Sequence, residues 1–392
     1  MTPKAFSSAL VKNKDWRASA AEIVSRVQAD LKGRSCDLLL FFVSEPYPDF
    51  DAPSFSRLVA EGLRPKTMIG CNSSGVIADD REIEMEAAVS VLAMHLPEVR
   101  LQTFTISGEE STAAADGNHL INLLDVYPTD KPRFICLADP LSCDIVQVLK
   151  AFNEGYKHLP VIGGLASGGV ASKPNWLCLN GTIYGEGLVG VAMMGNIELD
   201  ILVSQGCRPI GQTFVITKAE NNVLYELAGR SALAVVKELL EGLPVKDRKL
   251  AEESLSVGLV MNEKQASFKR GDFLIRNLMG FDHEAESLVV GAALHVGQTL
   301  QFQVRDAHTS EEDLKLLLEK LKSNKGEPQG GVLVSCCGRG KQFYGKPDHD
   351  ARAIQLTRGP LPLAGFFANG EIGPIGEKNF VHGYTSSLAI IR

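Results

Sequence analysis

The hydrophobic positions of this chain fall into one pattern that is repeated three times. A run too apolar for a half-exposed strand (Leu38–Val43, Phe134–Leu137, Val332–Ser335) leads into a stretch with helical spacing and then into a glycine-marked phrase. The phrases are MIGCNSSGVI (Met68–Ile77), VIGGLASGGV (Val161–Val170) and LPLAGFFANGEIGPIG (Leu361–Gly376). In each, four residues separate a leading glycine (Gly70, Gly163, Gly365) from a closing one (Gly75, Gly168, Gly370). A short polar residue stands before the closing glycine: Ser74, Ser167, Asn369. From run to phrase is roughly thirty residues, the length of a strand–helix–strand crossover, so one supersecondary unit is used three times. Each phrase reads as a strand entering a tight turn, with glycines that let another backbone or a ligand approach. Three copies raise the expectation that the turns meet.

Runs this apolar require cover on both faces, which predicts an α/β fold. The expected architecture is mixed sheets flanked by helices, built from repeated strand–helix–strand–Gly turn–strand units in two lobes. Asp15 is placed to cap a helix carrying Trp16, Ala20, Ile23, Val24, Val27 and Leu31 on one face. AAVSVLAMHL and VRLQTFTI read as strands returning through a turn at Pro97–Glu98, and GLVGVAMM with IELDILV as a second such pair. A helix is predicted over Val223, Leu224, Leu227, Leu233, Val236 and Leu240, and a last strand, interior to a sheet, over Tyr384–Ile391. The expected division is a helical extension over 1–34, a first domain over 35–225 and a second over 226–392.

Composition narrows the function classes. With 392 residues, 45% of them hydrophobic and 22% charged, the chain is globular and long enough for two or three domains. A net charge of −7 supplies no general footprint for nucleic acid. The start, MTPKAFSSALVKNKDW, lacks the apolar core of a signal peptide, and no run suffices to cross a bilayer, so a cytoplasmic location without membrane insertion is expected. The eight cysteines form no Cys-x-x-Cys and read as reduced thiols.

Candidate chemistry gathers in the third repeat. Arg339, set between Gly338 and Gly340 at a strand end, offers either a fork for a ligand carboxylate or phosphate, or a partner for a structural carboxylate such as Glu371. Glu371 lies in an otherwise apolar turn where an acid needs a cation or hydrogen bonds; the corresponding residues of the first two phrases are Val76 and Gly169. Cys337 next to Arg339 is expected to have its thiolate favoured, and His382 is either near Glu371 or a core histidine. A small polar ligand, an amino acid among the candidates, would use Arg339 for its carboxylate and Glu371 for its ammonium. Asn369, Asn72 and Ser73 would complete the hydrogen bonds, with Cys337 and His382 alongside. The other readings are a cysteine-dependent hydrolase or transferase using Cys337 with His382, and a protein-interaction module. The Gly70 and Gly75 spacing matches a phosphate loop, but Val76-Ile77 stand where its Lys-Ser/Thr belong. Asp348-His349-Asp350 reads as a helix cap, since three adjacent residues cannot all face one ion; no metal and no cofactor are expected.

GGLASGG, SQGCRPIG (Ser204–Gly211), VRDA (Val304–Ala307), SCCGRG (Ser335–Gly340) and LPLAGFFANGEIGPIG followed by FVHGYTSSLAII resemble the FIST family, named for F-box and intracellular signal transduction proteins. The resemblance runs from about Asp37 to the end, in the order of the family's N-terminal and C-terminal halves. It implies a sensory module that binds small ligands, amino acids among them, and in an F-box branch one that holds protein substrates. No kinase, cyclase, receiver or F-box segment accompanies these motifs, so output is expected to run through a partner protein.

Overall fold

The three apolar runs become strands buried on both faces, and alternate side chains show why. In the strand Leu38–Ser44, Leu38, Leu40 and Phe42 face a central core, while Leu39, Phe41 and Val43 face a peripheral one. Ile135 and Leu137 of Arg133–Ala138 and Val332 and Val334 of Gly330–Cys336 enter the same central core. Their alternate neighbours pack instead against helices. This is the computed structural model of the chain, and it describes residues 3–47, 49–113, 116–170, 173–322 and 326–392.

Each repeat supplies the same elements in the same order. The first runs strand Ala5–Lys12, helix Trp16–Leu31, lead strand Leu38–Ser44, helix Ala52–Leu63, glycine strand Thr67–Ser73, hairpin Gly75–Ala78 with Arg81–Glu84, and return strand Ala88–His95. The second matches it from Val99–Ile106 through Arg133–Ala138, helix Ile145–Gly155, Val161–Leu165, hairpin Leu177–Leu179 with Thr182–Tyr184, and Leu188–Gly195. The third begins at Leu199–Gln205 and resumes with Gly330–Cys336, helix His349–Arg358, Leu363–Ala368, hairpin Glu371–Ile375 with Lys378–His382, and Thr385–Ile391.

In every repeat the lead and glycine strands pair in parallel, and Gly70, Gly163 and Gly365 stand opposite Phe41, Cys136 and Leu333. The leading glycines are therefore strand residues, and a Cβ on any of them would strike the carbonyl oxygen opposite. The return strand lies antiparallel on the other side of the lead strand. Each hairpin leaves its own sheet. The first repeat's pairs with Leu363–Ala368, the second's with Thr67–Ser73 and the third's with Val161–Leu165. Three six-stranded mixed sheets thus exchange hairpins in a closed cycle.

These sheets form one compact unit, residues 1–203, 314–381 and 385–392; the other unit is residues 204–313 with 382–384. The second unit is antiparallel, in the order Cys207–Glu220, Thr299–Arg305, Leu255–Val260, Phe273–Asp282, Ser287–Val290, Val223–Leu227, Arg230–Ser231. Cys207–Glu220 also pairs with Val223–Leu227, closing the sheet on itself around Ile216, Leu224, Val257, Leu288, Leu300 and Phe302. No helix among the described residues is long and apolar enough to cross a membrane.

Several expectations need correction. The 1–34 segment is not purely helical: Ala5–Lys12 is a strand paired with Ala88–His95. The two expected strand pairs are not pairs at all, because Ala88–His95 and Val99–Ile106 belong to different sheets, as do Leu188–Gly195 and Leu199–Gln205. Leu96 and Ile197, in the connections, are buried in the central core and carry the chain across it. The expected helix from Val223 is the strand Val223–Leu227, broken by Ala228 and Gly229 at φ 49° and 75°, with the helix Ala232–Gly242 after it. The compact units follow the sheets rather than chain order, and the third repeat lies in the unit that holds the first two.

Thr385–Ile391 sits between Leu199–Gln205 and Gly330–Cys336, and all seven of its residues are buried. Burial contributes about 1.5–3 kcal/mol for each large apolar side chain, and Leu388, Ile390 and Ile391 together approach the about 5–15 kcal/mol of a typical domain. Deleting residues 385–392 is expected to abolish the cooperative thermal transition of this unit, followed by circular dichroism. A truncated chain with an unchanged melting curve would contradict the strand's interior place.

Candidate functional site

The closing glycines bring the three phrases to one place. A Cβ on Gly75 would lie 2.8 Å from the Phe367 ring, on Gly168 2.7 Å from the Ser73 amide nitrogen, and on Gly370 2.9 Å from the Leu165 side chain. Each contact is with a different repeat, so the absence of a side chain at these turns is what lets them interlock. Hydrogen bonds tie the second phrase to both of the others. The Ser74 amide donates to Ser167 Oγ at 3.0 Å, Ser167 Oγ donates to the Phe367 carbonyl, and the Asn369 amide donates to the Leu165 carbonyl at 3.1 Å.

The loop after the third lead strand reaches this junction. Its Cys337 amide donates to the Ala368 carbonyl at 2.9 Å, and the Cys337 thiol lies 3.3 Å from Ser74 Oγ and 3.9 Å from Asn369 Oδ1. Cys337 and Asn369 are exposed, and Ser74 and Ser167 are half-buried. Ser74 and Ser167 were not among the candidates from sequence, although their shared position before the closing glycine marked them. Ser73 and Asn72, which were, are buried and committed. Ser73 Oγ donates to the Gly75 and Val43 carbonyls, and Asn72 Oδ1 accepts from the Trp176 amide at 3.0 Å. His382 is buried and belongs to the other compact unit.

Arg339 is 1% exposed and its partner is Asp350, not Glu371. Nε and Nη2 donate to the two Asp350 oxygens at 2.8 and 3.1 Å. His349 Nδ1 stands 2.9 Å from Oδ1, and the His349 ring stacks on Tyr344 with centroids 3.5 Å apart. Arg339 and the contact with His349 outweigh burial and hold the Asp350 carboxyl well below the ordinary range. Removing one member of such a buried pair costs about 3–5 kcal/mol, because the other charge is left unpaired. Asp348-His349-Asp350 is therefore not a side-chain cap. Asp348 makes no capping bond and accepts from the Glu82 amide at 2.8 Å, while Asp350 serves Arg339. Glu82 Oε1 accepts from the Ala351 amide at 3.0 Å; burial, with Asp350 nearby, pushes its carboxyl up to about 8.

Glu371 is fully buried at the start of its hairpin, and Oε2 accepts from the Thr385 amide at 3.0 Å and its hydroxyl at 2.7 Å. Burial pushes this carboxyl up to about 8 against the pull of Thr385, Arg339 and Cys336. Glu371 Oε1 and Arg339 Nη1 are both buried with no hydrogen-bond partner among the described residues. Counting from the shared register, Arg339 corresponds to Tyr47 and Ser142, and Glu371 to Val76 and Gly169. Only the third repeat carries the ionisable pair. Among the described residues no group of three His, Cys, Asp or Glu could hold a metal.

The expected activation of Cys337 is not found. The Arg339 charge is engaged by Asp350, and the groups packed around the sulfur at the junction keep water from it although the residue has an exposed edge; this desolvation, reinforced by Glu371, pushes the thiol above its ordinary value despite hydrogen bonds from Ser74 and Ser167. A thiolate nucleophile at neutral pH, which the hydrolase or transferase reading needs, is disfavoured. Cys337 is nevertheless exposed, whereas Cys36, Cys71, Cys136, Cys143, Cys178 and Cys207 are buried. Limited iodoacetamide labelling with peptide mapping is expected to modify Cys337 before those six, at a rate slower than that of glutathione at pH 7 and rising as pH is raised. Labelling faster than glutathione at pH 7 would contradict the raised thiol.

Comparison with known proteins agrees with the motifs. The model of the FIST N domain matches residues 37–230 and that of the FIST C domain residues 232–374. An uncharacterized protein of Mycobacterium tuberculosis strain H37Rv is 35% identical over 380 residues, 96% of each chain. One of Mycobacterium bovis is 35% identical over 378 residues, again 96% of each. An F-box/LRR-repeat protein of Arabidopsis thaliana is 24% identical over 249 residues, 54% of this chain and 46% of its own. Among solved structures a chorismatase covers 100% of this chain and 99% of its own at 10% identity and a TM-score of 0.34, a likeness too low to inform fold or function. FIST domains are small-molecule-sensing modules, generally non-catalytic, that bind small ligands and interact with partner proteins. On its two domain matches and its full-length relatives, this chain belongs to the FIST family.

Proposed function

We propose that the junction of the three turns is the sensing site of the first unit. It takes a small polar molecule, an amino acid among the candidates, and passes the signal to a partner protein. The observation that carries this reading is the pairing of an accessible polar rim with a deficient interior. Cys337 and Asn369 are exposed at the junction, and within the same third repeat Arg339 Nη1 and Glu371 Oε1 are buried without partners. A buried polar atom left unpaired costs about 1–3 kcal/mol, so a ligand that satisfies both recovers free energy that the unliganded fold forgoes. The likeness to an F-box/LRR-repeat protein over about half of this chain supports the partner-protein output.

The test is a thermal-shift screen of the wild type against amino acids and small polar metabolites, followed by calorimetry of hits on Asn369→Ala. Asn369 is exposed, so its replacement is expected to leave the unliganded melting temperature unchanged. It should weaken a bound hit by about 0.5–1.5 kcal/mol, the net value of one hydrogen bond. A panel with no hit, or hits bound equally well by Asn369→Ala and Ser74→Ala, would contradict the site.

A further inference from the structure

We infer that Arg339 and Glu371 form a two-donor seat for a carbonyl or carboxylate oxygen at the buried end of the ligand. The inference names the chemistry of the site proposed above and rests on that reading for the ligand's existence. Its basis is how each side chain is already committed. Arg339 spends Nε and Nη2 on Asp350, so the planar guanidinium turns Nη1 away from that carboxylate. Glu371 takes both Thr385 donors on Oε2 alone. The atoms left over, Nη1 and Oε1, have no nitrogen or oxygen partner, and the weakly donating Cys336 thiol stands beside the Glu371 carboxyl.

Register places both residues around Cys336. The Arg339 amide donates to the Cys336 carbonyl at 2.8 Å, closing the turn. Thr385, which holds Glu371, directly precedes Ser386, the partner of Ser335 on the neighbouring strand. The ionisable groups acting on Glu371 are accordingly Arg339, Cys336 and Cys337, with Asp350 and His349 behind Arg339.

A carboxyl whose one oxygen receives two donors keeps its proton on the other. With its carboxyl pushed up to about 8, Glu371 is mostly neutral at pH 7, and Oε1–H is a donor as Nη1–H is. Two donors require an acceptor. A ligand carboxylate or carboxamide fits, whereas an ammonium would face a guanidinium and a neutral acid. For an amino acid this reverses one expectation from sequence: Glu371 helps hold the carboxyl group, and the ammonium lies outward, on the side of Asn369 Oδ1 and Ser74 Oγ.

Ligand-observed NMR on the full chain, with acetate, acetamide and methylammonium as probes, tests the seat. Acetate and acetamide are expected to show saturation transfer and methylammonium none. The acetate Kd should rise about tenfold between pH 7 and pH 9 as Glu371 loses its proton. Glu371→Gln, whose amide N–H replaces the acid O–H, should keep the pH 7 affinity within about threefold and lose the pH dependence. Glu371→Leu, which supplies no donor, should weaken acetate by about tenfold. Arg339 is left intact because its loss would strand Asp350. A tenfold loss in Glu371→Gln, preferential binding of methylammonium, or no acetate or acetamide signal in the wild type would overturn the inference. Glu371-dependent acetate binding in a protein whose melting temperature no amino acid or polar metabolite shifts would uphold the seat and remove the sensing role.

Discussion

At the junction of the three repeats, backbone must pass closer to backbone than any side chain permits. The approach of Gly168 to Ser73 shows this most directly, since a Cβ there would lie 2.7 Å from the Ser73 amide nitrogen, a main-chain atom that cannot yield by changing rotamer. From that approach follows the exchange of hairpins, because a turn that interlocks with a neighbour delivers its next strand to the neighbour's sheet. From the exchange follows the common core, in which Phe42 stacks on Phe366 with centroids 4.7 Å apart although the two belong to different repeats. No repeat completes its own sheet.

The third repeat keeps this frame and alters its chemistry. Where the first two place Tyr47 and Ser142, it places Arg339; where they place Val76 and Gly169, it places Glu371. The arginine requires a counter-charge, and the helix after the lead strand supplies Asp350 at its first turn. The hairpin lent by the first repeat then fastens that helix. Glu82 receives the Ala351 amide, Asp348 receives the Glu82 amide, and Glu84 Oε1 receives the Lys341 amide at 2.8 Å. A ligand drawing on Arg339 would act on a loop held by two repeats, a physical route from binding to a change at the surface.

The repeat was legible in sequence because its signals are local: an apolar run, a helix and two glycines at fixed spacing. The family was legible for the same reason, from contiguous motifs such as SQGCRPIG and GFFANGEIGP. The pairing of hairpins between repeats was not, since Gly75–Ala78 and Leu363–Ala368 lie far apart in the chain and neither strand names its partner. Adjacent strands were read as hairpins because nearness in sequence usually means pairing; here the buried Leu96 and Ile197 carry the chain across the core instead. Arg339, Glu371, Cys337 and Asn369 were recognised as chemically unusual for their positions, but the Arg339 partner was misassigned. Asp350 was masked by its place in Asp-His-Asp, a pattern that reads as a cap, and only the fold brings its carboxylate to the fork.

The meeting of the turns is tested most directly by a disulfide. Ser74 Oγ lies 3.3 Å from Cys337 Sγ across 263 residues of sequence, a separation that no local structure could bridge. In a Ser74→Cys variant, mild oxidation is expected to join positions 74 and 337, detected as a single cross-linked peptide by non-reducing mass spectrometry and reversed by dithiothreitol. A variant in which both thiols stay free and alkylate independently under the same oxidation would show that the first phrase and the third repeat's loop do not meet.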